Sequence, residues 1–152
     1  MMKASLLCSL GLLLSLSACN TAMAPPPDTA SRVAPALTSH WQLETARELG
    51  SIPAGITLQL RPAATGDSRR LAVSGHAGVN HYTGSASSDP EQGRLQFGPL
   101  ASTRRAGPAA LMAFEQAYLA RLAAVVSYEL AEPGLVLRTL HGDTLHFTRQ
   151  RE

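Results

Sequence analysis

The sequence predicts an α+β domain in which a curved, mainly antiparallel sheet packs against one main α-helix. Several short segments alternate apolar and polar side chains with a period of two, as half-buried strands do. One longer segment, residues 107–127, repeats apolar side chains at spacings of three and four, as an amphipathic helix does. The helix interrupts a series of strands instead of alternating with them, which favours an antiparallel sheet.

The predicted strands lie on both sides of this helix. The clearest is the segment 55–62, where three apolar side chains alternate with polar ones before a proline ends the strand: Ile56, Leu58 and Leu60, then Pro62. Shorter period-two pairs indicate three more strands before the helix: Trp41 and Leu43, Leu71 and Val73, Leu95 and Phe97. After the helix, residues 128–131, 135–140 and 144–148 form three predicted strands, separated by the turn sequences EPG and HGD.

The predicted helix has a start signal and a broad apolar stripe. Pro108 suits the first helical position, where no backbone N–H is needed, and Gly107 is an acceptable N-cap. The stripe consists of Leu111, Tyr118, Leu119, Leu122, Val125 and Val126. We expect this stripe to pack on the apolar face of the sheet.

Glu115 lies within the apolar stripe, four residues from both Leu111 and Leu119. A buried carboxylate without a partner is costly, so Glu115 needs a counter-ion or hydrogen-bond donors. The candidates are Arg104 and Arg105, which precede the helix, or a backbone N–H of a loop. A structural acid is the favoured interpretation. The alternative is a general acid or base, but no nucleophile or second acid lies nearby in the sequence.

The N-terminal segment is typical of an exported protein. Lys3 precedes an apolar run, residues 4–17, which is shorter than the roughly 20 residues of a membrane-spanning helix. The run ends in LSAC, Leu16 to Cys19, which resembles the lipobox of bacterial lipoproteins. This resemblance implies a signal peptide over residues 1–18, lipid on Cys19 and membrane attachment through that lipid. Asn20, in place of Asp, favours the outer membrane, facing the periplasm.

The remaining organisation follows from composition. Residues 19–39 carry the lipidated cysteine and a Pro, Ala, Ser and Thr-rich tether, and the folded domain is predicted over residues 40–149. Cys8 would leave with the signal peptide and Cys19 would carry lipid, so the mature chain is predicted to have no intramolecular disulfide and no thiol chemistry. A net charge of +2 does not favour nucleic acid as a partner.

The segment SGHAGVNHYTG, residues 74–84, has two possible interpretations. His76 and His81, with His141 or His146 from a later hairpin, could bind zinc through imidazole. Their spacing matches no strong metal-binding motif, so the sequence predicts no metal site. The favoured interpretation is a structural turn between strands. Its glycines, Gly78 and Gly84, would serve tight backbone geometry, Asn80 would bond nearby backbone groups, and Tyr82 would pack.

These residues occur in a wider pattern. Trp41 and Leu43 come first, then Gly78, Asn80, Tyr82 and Gly84, then FGPLASTR with Thr103 and Arg104, then Pro108 and a helix with Glu115. From about residue 40 to 148 the pattern resembles the META domain of HslJ-like bacterial lipoproteins. Two cysteines that are usual in that family are replaced here by Val79 and Gly107. If they form a disulfide in relatives, this domain must join the two segments by packing and hydrogen bonds.

The resemblance implies a function without catalysis. It implies a non-enzymatic, lipid-anchored envelope protein without a cofactor, which supports outer-membrane integrity, envelope stress or antibiotic tolerance by binding an unidentified envelope protein. The absence of catalytic sequence motifs agrees with this. One alternative is a binder of small apolar ligands, with a pocket between helix and sheet. Another is an inhibitor of periplasmic enzymes that presents residues 64–70 or 86–93 as a protruding loop.

Overall fold

The computed structural model describes residues 37–131 and 133–150. Within these ranges the chain forms nine strands, one α-helix and a 3-10 turn at Arg47–Leu49. The helix, α1, spans Ala109–Ala123. The strands are β1 (His40–Thr45), β2 (Thr57–Pro62), β3 (Arg70–His76), β4 (His81–Asp89), β5 (Arg94–Phe97), β6 (Ala101–Ser102), β7 (Val125–Ala131), β8 (Gly134–Thr139) and β9 (Thr144–Arg149).

The sheet closes on itself, and this corrects the predicted fold class. Each strand pairs antiparallel with its neighbours in the order β1, β2, β3, β4, β5, β7, β8, β9 and back to β1. The result is a closed eight-stranded antiparallel barrel with one short helix. The prediction of a curved sheet packed against one main α-helix was therefore wrong. Pairing of β3 with β4 removes the edges of an open sheet, and closure buries the apolar face without a helical second layer.

Side chains fill the interior of the barrel. The largest fully buried ones are Trp41, Tyr82 and Tyr118, and they lie among Leu37, Ile56, Leu58, Leu60, Leu95, Leu122, Leu135, Leu137 and Leu145. The helix adds Phe114, Tyr118 and Leu122 to this core. Burial of apolar surface on this scale is the main favourable term in folding, at about 25 cal/mol per Å².

Helix α1 lies over one end of the barrel. Strands β1, β3 and β8 run in the same direction because antiparallel neighbours alternate, so the connections that follow them share one end. The helix contacts all three connections. The Arg121 guanidinium donates to the Glu48 carbonyl at 3.3 Å and pairs with Asp143 at 3.4 Å, and Glu115 bonds to the turn after β3. We call this end the helix end.

The opposite end is where the described chain begins. Leu37 precedes β1 and is buried, and its carbonyl accepts a 3.0 Å hydrogen bond from the Trp41 indole N–H. The guanidinium group of Arg149 lies over the Trp41 ring, with its central carbon 5.1 Å from the ring centre. The connection between β2 and β3 and the turn between β4 and β5 also lie here. We call this end the tether end.

Several element boundaries differ from those predicted. The helix ends at Ala123, and Val125 and Val126 belong to β7 instead of the apolar stripe. Strand β4 was not predicted as a strand, and half of the proposed loop 86–93 is part of it. The three strands after the helix lie close to their predicted positions.

The predicted signal peptide, Cys8, Cys19 and residues 20–36 of the tether lie outside the described residues. Among the residues that are described, no helix is long and apolar enough to cross a membrane.

Candidate functional site

The predicted site residues converge on the turn between β3 and β4, at the helix end. The turn is closed by a 2.9 Å hydrogen bond from the Ala77 N–H to the Asn80 carbonyl. Gly78 has a φ of 129°, a backbone angle that residues other than glycine rarely adopt. The Gly78 N–H also lies 3.4 Å from Nδ1 of His76. The backbone of this turn therefore depends on glycine at position 78.

The side chain of Asn80 is buried and joins three segments. Its Oδ1 accepts hydrogen bonds from the Thr103 hydroxyl at 2.8 Å and from the Arg105 N–H at 2.7 Å. Its Nδ2 donates to Glu115 Oε1 at 2.9 Å and to the Arg105 carbonyl at 3.2 Å. Asn80 thus connects the turn, the segment before the helix and the helix itself.

Glu115 receives three hydrogen bonds from the same turn. The N–H groups of Val79 and Asn80 donate to Oε2 at 3.2 and 2.8 Å, and Asn80 Nδ2 donates to Oε1. The side chain is only 5% exposed. Of the partners considered from sequence, the loop backbone N–H is the one observed. Arg104 and Arg105 are exposed, and the ion pairs found among the described residues involve other side chains.

Val79 and Gly107 lie directly against each other. A Cβ placed on Gly107 would lie 2.6 Å from a methyl carbon of Val79 and 3.3 Å from its Cβ. The two positions at which the resembling family usually has cysteine are therefore neighbours in this fold. The Val79 side chain occupies the space beside Gly107, so the two segments pack against each other there.

Tyr82 points into the barrel and bonds to the helix. Its hydroxyl donates to the Thr57 carbonyl at 2.8 Å and lies 3.0 Å from the Tyr118 hydroxyl. Because Tyr82 has one proton to donate, Tyr118 must donate to Tyr82. Burial raises the pKa of both hydroxyls above the ordinary value of 10.0. Gly75 leaves the necessary space, since a Cβ there would lie 2.5 Å from the Tyr82 hydroxyl.

The other predicted motif residues have separate positions. Gly84 allows the chain to cross closely, because a Cβ there would lie 2.8 Å from the Pro99 carbonyl oxygen. Trp41 belongs to the tether end of the core. Pro108 immediately precedes the first residue of α1, and Arg104 is exposed on the segment before it.

The histidines form one close pair. His76 and His81 occupy facing positions at the ends of β3 and β4, and their ring centres lie 4.9 Å apart in an edge-to-face arrangement. His141 and His146 belong to the β8–β9 hairpin. Within residues 37–131 and 133–150, no group of three or more His, Cys, Asp and Glu side chains could hold a metal ion.

The geometry favours a structural role for the Asn80–Glu115 network, by which we mean Val79, Asn80, Thr103, Arg105 and Glu115. The Asn80 amide, the Thr103 hydroxyl and the Glu115 carboxylate bond to one another and to the backbone of Val79, Asn80 and Arg105. A catalytic carboxylate must reach a substrate atom, whereas Glu115 is buried and already bonded by the turn. The network therefore fastens α1 to the barrel.

Sequence reasoning named two contributors to this site without predicting their hydrogen bonds. Thr103 was identified only through the resemblance, and its bond to Asn80 was not foreseen. Tyr118 was predicted as an apolar stripe residue, yet its hydroxyl pairs with Tyr82. A buried tyrosine hydroxyl requires a partner, and this requirement was the available signal.

Two solved structures illustrate what this fold is similar to. The NMR structure of a protein from Burkholderia xenovorans is 28% identical, with a TM-score of 0.59, and the match covers 91% of this chain and 100% of that one. The crystal structure of a DUF4847 family protein from Bacteroides vulgatus has a TM-score of 0.52 at 9% identity, covering 76% and 94% of the two chains, and supports the fold alone.

Among curated proteins, none matches this chain. The sequence pattern of the META domain matches residues 34–152, which include the whole barrel, the helix and the Asn80–Glu115 network. The chain therefore belongs to the META domain family.

Proposed function

We propose that this META domain protein is a non-enzymatic, lipid-anchored component of the cell envelope that acts by binding another envelope protein. In this proposal lipid on Cys19 holds the chain at the periplasmic face of the outer membrane. The domain then supports outer-membrane integrity, envelope stress responses or antibiotic tolerance through its surface. The LSAC sequence and the short apolar run before it support the anchor.

The observation that carries the proposal is the filled interior of the barrel. Barrels that carry small ligands leave a cavity at their centre. Here Trp41, Tyr82 and Tyr118 occupy that position and are at most 1% exposed. The polar groups of the best-built site, Asn80 and Glu115, are bonded to each other. Because the interior is filled and this network is fully bonded, we expect the outer surface of the domain to bind the partner.

The two alternatives fit less well. A small apolar ligand would need the space between helix and barrel, which Phe114, Tyr118 and Leu122 fill. A shallow cleft of about 370 Å³ lies between α1 and residues 48–53, but it is open to solvent at the surface. The inhibitor hypothesis retains one of its two loops, because residues 64–70 are exposed whereas residues 86–89 are part of β4.

Crosslinking in intact cells tests the proposal. The anchored protein is crosslinked, purified under denaturing conditions, and its neighbours are identified by mass spectrometry. A Cys19→Ser variant, which cannot accept lipid, is the matched control. We expect one reproducible envelope protein that is crosslinked to the wild type and lost in the variant.

The outcomes separate the proposed classes. If lipidation is confirmed and no neighbour is reproducible, the interaction hypothesis is wrong. A neighbour that is a periplasmic enzyme, and that loses activity on addition of the protein, would instead support the inhibitor class.

A further inference from the structure

Three exposed arginines lie together at the tether end of the barrel. Arg61 is near the end of β2, Arg69 closes the connection to β3, and Arg70 is the first residue of β3. We call them the tether-end arginines. Their side chains are exposed, and the ion pairs found within the described ranges join Arg121 with Asp143 and Arg138 with Glu129. The positive charge of the tether-end arginines is therefore available to a partner.

The strand register places two of these arginines on one outer face. Arg61 is directly opposite Ala72, and Arg70 lies two residues before Ala72 on the same strand. Side chains in such diagonal positions are about 7–8 Å apart. Like charges at this distance repel each other, so they are best accommodated by an anionic partner. The one carboxylate in the connection, Asp67, accepts a 2.9 Å hydrogen bond from the Arg69 backbone N–H.

The topology places the same face towards the predicted anchor. Leu37 leads into β1 at the tether end, and β2 returns to that end before the connection that carries Arg69. Residues 20–36, which lie between Cys19 and Leu37, can extend at most about 60 Å. Lipid on Cys19 would therefore hold the domain at a high effective concentration near the headgroups, and the tether joins it at this face.

We propose that the tether-end arginines rest on the anionic phosphate groups of membrane lipids and orient the domain with its helix end away from the bilayer. Guanidinium groups bind phosphate oxygens in a bidentate manner, and clustered basic residues bind anionic membrane surfaces. This inference rests on the lipid anchor of the proposed function. It adds a defined orientation, in which α1 and the connections beneath it face the periplasm.

The helix end supplies a matched set of control positions. Arg47, Arg104 and Arg105 are equally exposed, but the topology places them at the opposite end of the barrel. For labelling, Ser68 is exposed beside the tether-end arginines, and Gln116 is exposed on α1. A cysteine introduced at either position would be the only free thiol of a lipidated mature chain.

The test measures energy transfer from a fluorophore on the protein to an acceptor on lipid headgroups. Mature lipidated Ser68→Cys and Gln116→Cys proteins are labelled and reconstituted in vesicles of phosphatidylcholine alone or of equimolar phosphatidylcholine and phosphatidylglycerol. We expect strong transfer from position 68 and weak transfer from position 116 in anionic vesicles. The difference should shrink in high salt and in phosphatidylcholine alone.

Charge variants complete the test. Replacing Arg61, Arg69 and Arg70 together with Gln should weaken the surface contact roughly 100-fold, at about fivefold per arginine, and abolish the difference between the two labels. The triple Arg47→Gln, Arg104→Gln, Arg105→Gln should leave it unchanged. Equal transfer from both labels in lipidated wild-type protein would overturn the orientation alone. A mature chain whose mass shows no lipid on Cys19 would overturn the anchor and, with it, this inference.

Discussion

The two ends of the barrel are held by different interactions. At the helix end, a buried carboxylate and a buried amide join the β3–β4 turn to α1 through a saturated set of hydrogen bonds. At the tether end, Leu37 and Trp41 close the core, and the connection between β2 and β3 carries the exposed tether-end arginines. A polar network whose every member is satisfied fixes one arrangement. An exposed cluster of like charge contributes little to stability and is available for contact.

The largest expected effect comes from breaking the helix end. Replacing Glu115 with Ala leaves the Val79 and Asn80 N–H groups without an acceptor, and the Asn80 amide keeps only its bond to the Arg105 carbonyl. Each unsatisfied buried donor costs about 1–3 kcal/mol, so we expect a loss of about 3–5 kcal/mol in the free energy of unfolding. Urea denaturation of the mature chain with Cys19→Ser measures it. The control is Gln116→Ala, an exposed neighbour; equal effects of the two variants would disprove the role of the network.

A second change would strengthen the same end. Cysteines at Val79 and Gly107 should form a disulfide, because the Cβ positions are 3.3 Å apart, close to the 3.5–4.5 Å of native disulfides. Closing the loop between them should raise the free energy of unfolding by about 3 kcal/mol. Thermal unfolding with and without reductant measures the difference within one protein. If the oxidised form is no more stable than the reduced form, the two positions are not correctly placed.

The tyrosine pair predicts alkaline destabilisation. The pKa values of Tyr82 and Tyr118 are raised in the folded state, so the unfolded state loses protons first as the pH rises above about 10. The stability they contribute is complete below pH 10 and declines above it, by up to about 1.4 kcal/mol per pH unit for each tyrosine. Lysine also titrates in this pH range, but the one lysine of the chain, Lys3, lies in the predicted signal peptide and would not contribute.

A Tyr118→Phe variant sharpens this test. It removes one titrating group, while the Tyr82 hydroxyl can still donate to the Thr57 carbonyl. Denaturant unfolding at several pH values should give a slope that is lower by about 1.4 kcal/mol per pH unit. An unchanged slope would mean that Tyr118 ionises as easily in the folded protein as in the unfolded chain.

The smallest effect is expected at the tether end. Replacing Arg61, Arg69 and Arg70 with Gln should change the free energy of unfolding by less than about 0.5 kcal/mol per residue, because their side chains are exposed. Equilibrium unfolding of the triple variant beside the wild type measures this. A large loss of stability would show that these arginines hold the barrel together and would remove the contrast between its ends.

Local patterns predicted many of the elements but not the closure of the sheet. Strand β2 shows Ile56, Leu58 and Leu60 in clear alternation and was predicted, whereas the inward residues of β4 after Tyr82 are Gly84, Ala86 and Ser88. Small side chains give no period-two apolar signal, so β4 was overlooked. Without β4, the pairing with β3 that closes the barrel could not be inferred.

The candidate site was predicted in its members but not in its bonds. Helical periodicity correctly placed Glu115 on a buried face and required a partner for it. The choice between an arginine and a backbone N–H depends on the tertiary position of the turn at residues 77–80, which no local pattern encodes. A guanidinium group keeps its hydration when its side chain is exposed. Arg104 and Arg105 are both exposed, and neither pairs with the buried Glu115 carboxylate.

The pairing of the first and last strands has a consequence for how the protein is made. Trp41 faces Arg149 across β1 and β9, and the Gln150 N–H donates to the His40 carbonyl at 2.8 Å. Contacts so distant in sequence form late and slow the folding of a β-protein. A chain that leaves the ribosome or crosses a membrane from its N-terminus can pair β1 with β2 early, but the other edge of β1 lacks β9 until almost the whole polypeptide has emerged. During that interval the unpaired edge of β1 is open to pairing with other chains.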